Sequence, residues 1–477
     1  MRTLPFFFAV AFFAIIVNLA AAQNSNSASA TDPREIPIPP IKTDLGTMPG
    51  VNELPVHKEM PDVLVMNDGT KVKTTDQWNR RRAEIRRILE YYATGRMPPA
   101  PANLKGHELK SQTVLDGKVK YRLVQLTFGP GEKLQLNIGI LTPTDAKPPF
   151  PAVIMPGGTP PGAIPLPTLA HPPGQGKGVD ALLPVVSTTE STNAPATSAS
   201  STNQTVRRSG GPREPADAES LAERNREFFR RGYAYVTFNN NDCAEDTTLR
   251  MADGSWAFRT TRFYPAYPGY DWGILAGWAW GVSRIVDFLE TDPLIDKTKL
   301  LVSGVSRTGK SALIAGAFDD RLAMAAPCVT GGGGIGAYRF SGVGRGGKEG
   351  LGDMMKKYPN WFSPHLHQFW GQTDKLPFDE HWFIALMAPR PFIALEGLTD
   401  QVSLENAVKQ SVLAARPAYA LFNATDHLGV NYANHGHAFS DDDRMAMLDF
   451  ADKYLRGKKV DRHFDHFPSE SAEGTAR

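Results

Sequence analysis

The sequence has very few cysteines and only one long apolar run. Cys243 and Cys328 are the two cysteines among 477 residues, which excludes a disulfide-dense scaffold. The two thiols either form one bridge or fill small apolar sites in the core. The apolar run extends from Phe6 to Leu19 and is broken by Asn18. It is about 14–17 residues long, at or below the length of a bilayer-spanning helix, so we expect no stable association with a membrane.

The sequence also lacks a strong charge of either sign. Its 52 basic and 50 acidic residues give a formal net charge of +2 and are interspersed without long blocks. This balance gives no electrostatic reason to expect a nucleic acid partner. With 41% apolar residues, the chain has the composition of an ordinary globular protein with a sizeable core. We expect it to act as a monomer.

The N-terminal apolar run has the three parts of a secretory signal peptide. Arg2 supplies the positive charge, the run itself is the apolar region, and Ala20, Ala21 and Ala22 form a small-residue cleavage site. No cysteine follows the run, which argues against a lipoprotein. We predict that residues 1–22 are removed and that the chain is secreted or periplasmic.

The rest of the sequence divides by composition. Residues 23–76 are rich in Pro, Asn, Ser and Thr without periodicity, which predicts an extended N-terminal arm. Residues 77–457 form the predicted main domain, and residues 458–477 form a tail. Within the domain, residues 185–216 are low in complexity and predict a mobile surface insertion rather than a lid.

Hydrophobic periodicity predicts a mixed α/β domain. Ile85, Ile88, Leu89 and Tyr92 form one stripe of a predicted helix over residues 78–92, with the arginines on its solvated face. Further helices are predicted at 219–231, 272–290, 378–387, 404–414 and 441–455. Strands are predicted at 121–128 and 134–141, joined by the turn 129–131, and at 151–155, 233–238, 300–303, 323–329, 391–396 and 417–422.

This order of elements is the layout of an α/β-hydrolase. An antiparallel strand pair precedes alternating units, which predicts a mostly parallel, doubly wound sheet with helices on both faces. In such a sheet the chemistry lies on the loops at the carboxyl ends of the strands. Candidate functional residues are therefore those that directly follow the predicted strands.

One octapeptide, residues 304–311, is compatible with two different chemistries. Its letters GVSRTGKS match the P-loop pattern, whose backbone N–H groups and lysine hold a nucleotide. Centred on Ser306, the same residues also fit a strand-to-helix turn that presents a nucleophile. The usual pattern of this turn is G-x-S-x-G, and here its second glycine is displaced to Gly309. An exported protein meets little nucleoside triphosphate, and we find no convincing strand that ends in a magnesium-binding Asp. We therefore favour the nucleophile.

The partners of a serine nucleophile occur in the order that an α/β-hydrolase requires. Asp400 follows the predicted strand at 391–396, and His437 lies four residues before the last predicted helix. Ser306 would lose its proton to His437, and Asp400 would orient and stabilise the imidazolium. Fallback bases are His435 and His427. This chemistry requires no metal and no other cofactor.

The octapeptide also resembles the G-x-S-R-x-G-K motif of the glucuronoyl esterases, carbohydrate esterase family 15. The likeness extends from about Leu123 to Leu455. It is carried by the segments 270–273, 277–281, 287–292, 376–381, 388–391 and 448–455. The resemblance implies hydrolysis of a carbohydrate ester, formed between a (4-O-methyl-)glucuronic acid side chain of xylan and a lignin alcohol. It further implies that Arg307 stabilises the oxyanion and that Lys310 binds the sugar hydroxyls.

The chain departs from the family pattern at several positions. Val329 stands where some members carry the triad acid as Glu, so Asp400 is the expected acid, with Glu396 as the alternative. Gln401 stands where many members have a sugar-packing Trp, and the region of a sugar-binding Glu is occupied by Tyr358.

These departures leave the hydrolase chemistry intact but bear on specificity. Two other functions therefore stay open: hydrolysis of another carbohydrate ester, such as an acetyl or methyl ester, and noncatalytic carbohydrate binding. Trp361 and Trp382 are expected to belong to the core rather than to a sugar platform.

Overall fold

The computed structural model describes residues 45–46, 48–169, 217–342 and 349–468. The predicted signal peptide, the predicted insertion at 185–216 and the outer ends of the arm and tail lie outside these residues. No helix in the described ranges combines the length and the apolar character that a membrane crossing requires.

In the described part of the chain, nine strands form one sheet with the order β1-β2-β3-β5-β4-β6-β7-β8-β9. The strands are β1 Lys105–Val114, β2 Val119–Phe128, β3 Leu134–Pro143, β4 Phe150–Pro156, β5 Ala234–Phe238, β6 Ile295–Val305, β7 Leu322–Cys328, β8 Phe392–Gly397 and β9 Leu428–Ala433. Strands β1, β2, β3 and β5 pair antiparallel, whereas β5, β4 and β6 to β9 pair parallel. The predicted α/β-hydrolase fold is confirmed.

Helices cover both faces of this sheet. They are α1 Thr75–Leu89, α2 Ala218–Arg224, α3 Arg226–Arg230, α4 Ile274–Leu289, α5 Arg307–Phe318, α6 Leu351–Lys357, α7 His381–Met387, α8 Glu405–Ala420 and α9 Asp441–Arg456. Alternate residues of a strand enter two different cores: Ile154 packs in the core under α4, α5 and α7, and Val153 in the core under α2, α3 and α9. We call these the first and the second core.

Most predicted elements agree with the structure, but several do not, and α6 was not predicted at all. The predicted strand 417–422 is wrong, because residues 417–420 form the last turn of α8 and residues 421–422 follow it in a turn. In this helix Ala415, Ala418 and Tyr419 bury one stripe. The last strand is instead β9. The predicted helix 219–231 is divided at Asn225, and β1 was missed because its residues are almost all exposed and show no apolar alternation.

The two cysteines are free thiols. Cys243 is buried in the first core and Cys328 in the second core. The alternative of one disulfide bridge is therefore wrong for the folded chain.

Helix α1 buries the predicted apolar stripe and, in addition, one of its arginines. Arg81 is 2% exposed. It donates to the carbonyl oxygen of Val63, to Asn67 and to Glu84, and its guanidinium lies 4.7 Å from the ring centroid of Trp382. The expectation that the arginines form a solvated face is wrong for Arg81, because the N-terminal arm supplies acceptors that no helical pattern shows.

We expect Arg81→Ala to lower the free energy of unfolding by about 2–4 kcal/mol, since it leaves buried acceptors without their donor. Arg80→Ala, one position earlier on the exposed side of the same helix, should change it by less than about 0.5 kcal/mol. Urea denaturation of both variants checks this expectation. Equal losses would mean that the contacts of Arg81 do not contribute to stability.

Candidate active site

Ser306 occupies the strained turn between β6 and α5. Its backbone has φ 56° and ψ −123°, a region that residues with a side chain rarely adopt. Two glycines make the turn possible: a Cβ on Gly304 would lie 2.4 Å from the carbonyl oxygen of Thr308, and one on Gly309 would lie 2.8 Å from that of Gly304. The displaced second glycine is therefore needed where it stands, because α5 folds back onto the end of β6.

His437 connects this serine to a buried carboxylate. Its Nε2 lies 2.8 Å from Ser306 Oγ, and its Nδ1 lies 2.9 Å from Asp400 Oδ2. Asp400 follows β8, and His437 lies between β9 and α9. The structure thus brings together the three residues that the sequence order selected, with the relative geometry of a nucleophile, a base and an orienting acid.

Hydrogen bonds favour the charged form of Asp400. Burial alone would raise the pKa of this carboxyl, but the hydrogen bonds from His437 and from the backbone N–H of Val402 outweigh it. The pKa of Asp400 therefore lies below its ordinary value. An ionised carboxylate behind Nδ1 is what fixes the tautomer of the imidazole and stabilises its protonated form.

Glu396, the alternative acid, has the opposite environment. It points into the core from β8 and is fully buried. Burial, reinforced by the negative charges of Asp400 and Asp443, raises the pKa of Glu396 well above its ordinary value. Among the described residues, His437 bonds to Asp400 and Ser306 rather than to Glu396.

The two fallback histidines are engaged elsewhere. His435 Nε2 lies 2.8 Å from Asp443 Oδ2, and His427 Nδ1 lies 2.8 Å from the carbonyl oxygen of Pro389. A Cβ on Gly397 would lie 2.5 Å from the carbonyl oxygen of His435. The segment that carries His437 is therefore packed closely on the end of β8.

Arg307 extends from the first position of α5 and forms an ion pair with Asp246. Its guanidinium also lies 5.2 Å from the ring centroid of Trp361. Asp246 was not found by sequence reasoning, because it lies in the irregular segment after β5, where no periodic pattern or motif marks it.

Lys310 is buried under the glycine-rich turn that follows β7. Its ammonium donates to the carbonyl oxygens of Thr330 and Gly332 and to Glu349 Oε2, the last at 2.8 Å. The side chain is 2% exposed, so all three ammonium protons have acceptors within the protein. Glu349 is a second residue that sequence reasoning missed. The phosphate-binding role that a P-loop assigns to this lysine is not available in this arrangement.

The remaining predicted positions lie in different environments. Gln401 is exposed directly after Asp400. Tyr358 stacks on Trp361 with ring centroids 3.9 Å apart. Trp361 and Trp382 are 3% and 1% exposed, which confirms their place in the core. Val329 is also buried, and its apolar side chain cannot orient an imidazole.

Several known esterases are similar to this chain. The profile of the family described as "Glucuronyl esterase, fungi" matches residues 193–423. The chain is 30% identical to the carbohydrate esterase MZ0003 of an unknown prokaryotic organism, over 72% of this chain and 73% of the relative. It is 26% identical to the 4-O-methyl-glucuronoyl methylesterase of Hypocrea jecorina, over 87% of this chain and 73% of the relative. A solved glucuronoyl esterase of carbohydrate esterase family 15 from Caldicellulosiruptor kristjansonii has a TM-score of 0.61 and 25% identity, over 87% of this chain and 94% of that one.

The two candidate acids should respond differently to removal of their charge. Asp400→Asn should lower kcat by about 10⁴-fold, because an amide favours the wrong imidazole tautomer. Glu396→Gln should leave kcat within about threefold, since His437 bonds to Asp400 rather than to Glu396. Ester hydrolysis at pH 7 checks both, and the reverse ranking would move the role of the acid to Glu396.

The difference in stability between Glu396→Gln and the parent should also depend on pH in a defined direction. The pKa of Glu396 in the folded chain lies above its value in the unfolded chain, which is about 4.3. The contribution of protonated Glu396 to stability is therefore complete below about pH 4.3 and is lost as the pH rises. The glutamine variant lacks this loss. The difference in Tm between the variant and the parent, measured at the same pH, should therefore shift in favour of the variant as the pH rises above about 4.3.

Proposed function

The chain belongs to the glucuronoyl esterases of carbohydrate esterase family 15 and is a carboxylic ester hydrolase, and we propose that it acts by a Ser–His–Asp mechanism on esters of glucuronic acid. The proposed substrate is the ester between a (4-O-methyl-)glucuronic acid side chain of xylan and a lignin alcohol. The observation that carries this proposal is the continuous hydrogen-bond chain from Ser306 through His437 to Asp400. A noncatalytic binding protein would have no use for a strained serine joined to such a pair.

Acylation begins with proton transfer from the nucleophile. His437 Nε2 takes the proton of Ser306 Oγ as this oxygen bonds to the ester carbonyl carbon, and Asp400 stabilises the resulting imidazolium. The tetrahedral intermediate then collapses, and the bond between the carbonyl carbon and the alcohol oxygen breaks. The alcohol leaves with the proton from His437.

Deacylation repeats the same steps with water. Nε2 removes a proton from a water molecule, whose oxygen bonds to the acyl carbon. Collapse of the second intermediate releases the uronic acid and returns the proton to Ser306 Oγ. Each intermediate carries a negative oxygen, and this is the charge that Arg307 is proposed to stabilise.

The sugar-binding role of Lys310 requires one contact to change. Of its three acceptors, Glu349 is the single side chain, so a sugar hydroxyl reaches the ammonium most readily by displacing this carboxylate. The burial of Lys310 also favours a second candidate function, hydrolysis of an ester with a small acyl group such as acetate, which requires no such displacement.

Export is part of the same proposal. A polymeric plant cell wall substrate lies outside the cell, so the enzyme must reach it, and residues 1–22 are proposed as the signal peptide that directs this step.

Ser306→Ala should abolish ester hydrolysis and labelling by a fluorophosphonate. The Tm should stay within a few degrees of the parent, because the residue contributes a strained backbone and little packing. Turnover of benzyl glucuronate and thermal unfolding are measured on the same preparation. Undiminished turnover by the variant would contradict the assignment of the nucleophile.

Lys310→Met should separate the two candidate substrates. If Lys310 binds sugar hydroxyls, kcat/KM for benzyl glucuronate should fall at least about tenfold more than that for p-nitrophenyl acetate. Lys297→Met, at an exposed position of β6, serves as the control and should change neither value. Equal losses on both esters would show that Lys310 is structural, and a parent that prefers acetate would favour the second candidate function.

A further inference from the structure

Asp246 contacts Arg307 in the active site but takes no part in the proposed proton transfers. It lies in the segment between β5 and α4, and its Oδ2 pairs with the guanidinium of Arg307. Its other oxygen, Oδ1, accepts a hydrogen bond of 2.8 Å from the indole N–H of Trp361. With both oxygens engaged, Asp246 joins the residue next to the nucleophile to a buried aromatic side chain.

The segment that carries Asp246 is held on both sides of this residue. On one side, the indole N–H of Trp278 in α4 donates to the carbonyl oxygen of Ala244 at 2.7 Å. On the other side, the side-chain amide of Asn360 donates to the carbonyl oxygen of Thr247, also at 2.7 Å. Both donor residues are at most 1% exposed. The carboxylate therefore projects from a backbone that is fixed on the first core.

Trp361 is fixed on the same helix. Its carbonyl oxygen accepts the N–H of Leu275 in the first turn of α4 at 3.2 Å, and its ring stacks on Tyr358. The guanidinium of Arg307 is therefore held by an ion pair with Asp246 and faces the ring of Trp361. Both partners of Arg307 are thus anchored by hydrogen bonds to α4, whereas Arg307 itself lies on α5.

We propose that Asp246 is a positioning residue for the reaction and holds the guanidinium of Arg307 where the oxyanion forms. The Arg307 side chain is 48% exposed, and without a partner such a long side chain would sample many rotamers. Holding it before the substrate arrives removes this reorganisation from the chemical step, where donors placed in advance are most effective. The inference rests on the proposed oxyanion role of Arg307.

Asp246→Asn tests the proposal, because it keeps the shape of the side chain and removes the charge. On the ester that the parent hydrolyses best, kcat should fall about 10–100-fold while KM stays within about twofold, since the contact acts in the transition state. Asp246→Glu should recover part of the loss. Asp253→Asn, at an exposed carboxylate of the same segment, is the matched control and should not change kcat.

A double variant distinguishes positioning from a general structural effect. Arg307→Ala alone should lower kcat by about 10²–10³-fold, and Asp246→Asn combined with Arg307→Ala should be no slower than Arg307→Ala alone. Trp361→Phe, which keeps an aromatic side chain of smaller size and removes the N–H donor, should give a smaller fall in kcat with the same unchanged KM. The proposal is overturned by full kcat in Asp246→Asn, by a faster Asp246→Asn variant, or by losses that multiply in the double variant.

Labelling by a fluorophosphonate separates this inference from the question of substrate. Ser306 Oγ bonds to phosphorus, fluoride leaves, His437 takes the proton, and the phosphoryl oxygen occupies the position of the oxyanion. Asp246→Asn should slow labelling in parallel with kcat, whichever ester the parent prefers. A parent that is labelled but hydrolyses no glucuronate ester, with the Asp246→Asn defect retained, would contradict the proposed substrate and support Asp246. Equal labelling rates of parent and variant would overturn the role of Asp246.

Discussion

The close contact between the end of β6 and the first turn of α5 is the constraint on which the site depends. The backbone conformation of Ser306 costs free energy. The turn is nevertheless kept, because Gly304 and Gly309 have no side chains and allow the helix to fold back at van der Waals distance. The backbone N–H of Ser306 donates to the carbonyl oxygen of Cys328 in β7 at 2.9 Å. The sheet itself therefore holds the turn, and every other group of the site is positioned relative to this serine.

Three buried carboxyl groups near the ends of β8 and α9 show how environment assigns different roles to the same chemistry. Asp400 receives hydrogen bonds that favour its charge, whereas Glu396 and Asp443 have pKa values raised first by burial. Asp443 caps α9 through Ser440 and faces His435. One carboxylate is thus available to the imidazole of His437, and Asp443 instead takes part in the cap of α9.

The fold could be predicted from the sequence because it depends on the order of helices and strands along the chain. Ser306, Asp400 and His437 could be proposed because they occur in the order that this fold requires. Alternating buried strands and amphipathic helices are periodic, and the Ser, acid, His order follows from the topology of the sheet. Asp246 and Glu349 could not be predicted, since each acts through a tertiary contact with the octapeptide from a segment without periodicity. The end of α8 was predicted as a strand because Pro417 and the apolar residues after it resemble a strand that begins at a proline.

The two free thiols give the folded chain a property that its catalysis does not require. Cys243 and Cys328 are completely buried in different cores on opposite faces of the sheet. Burial raises the pKa of both thiols, so neither reacts with an alkylating reagent until its own core opens. The rates at which the two cysteines are alkylated therefore report separately on local opening of the first core around Cys243 and of the second core around Cys328.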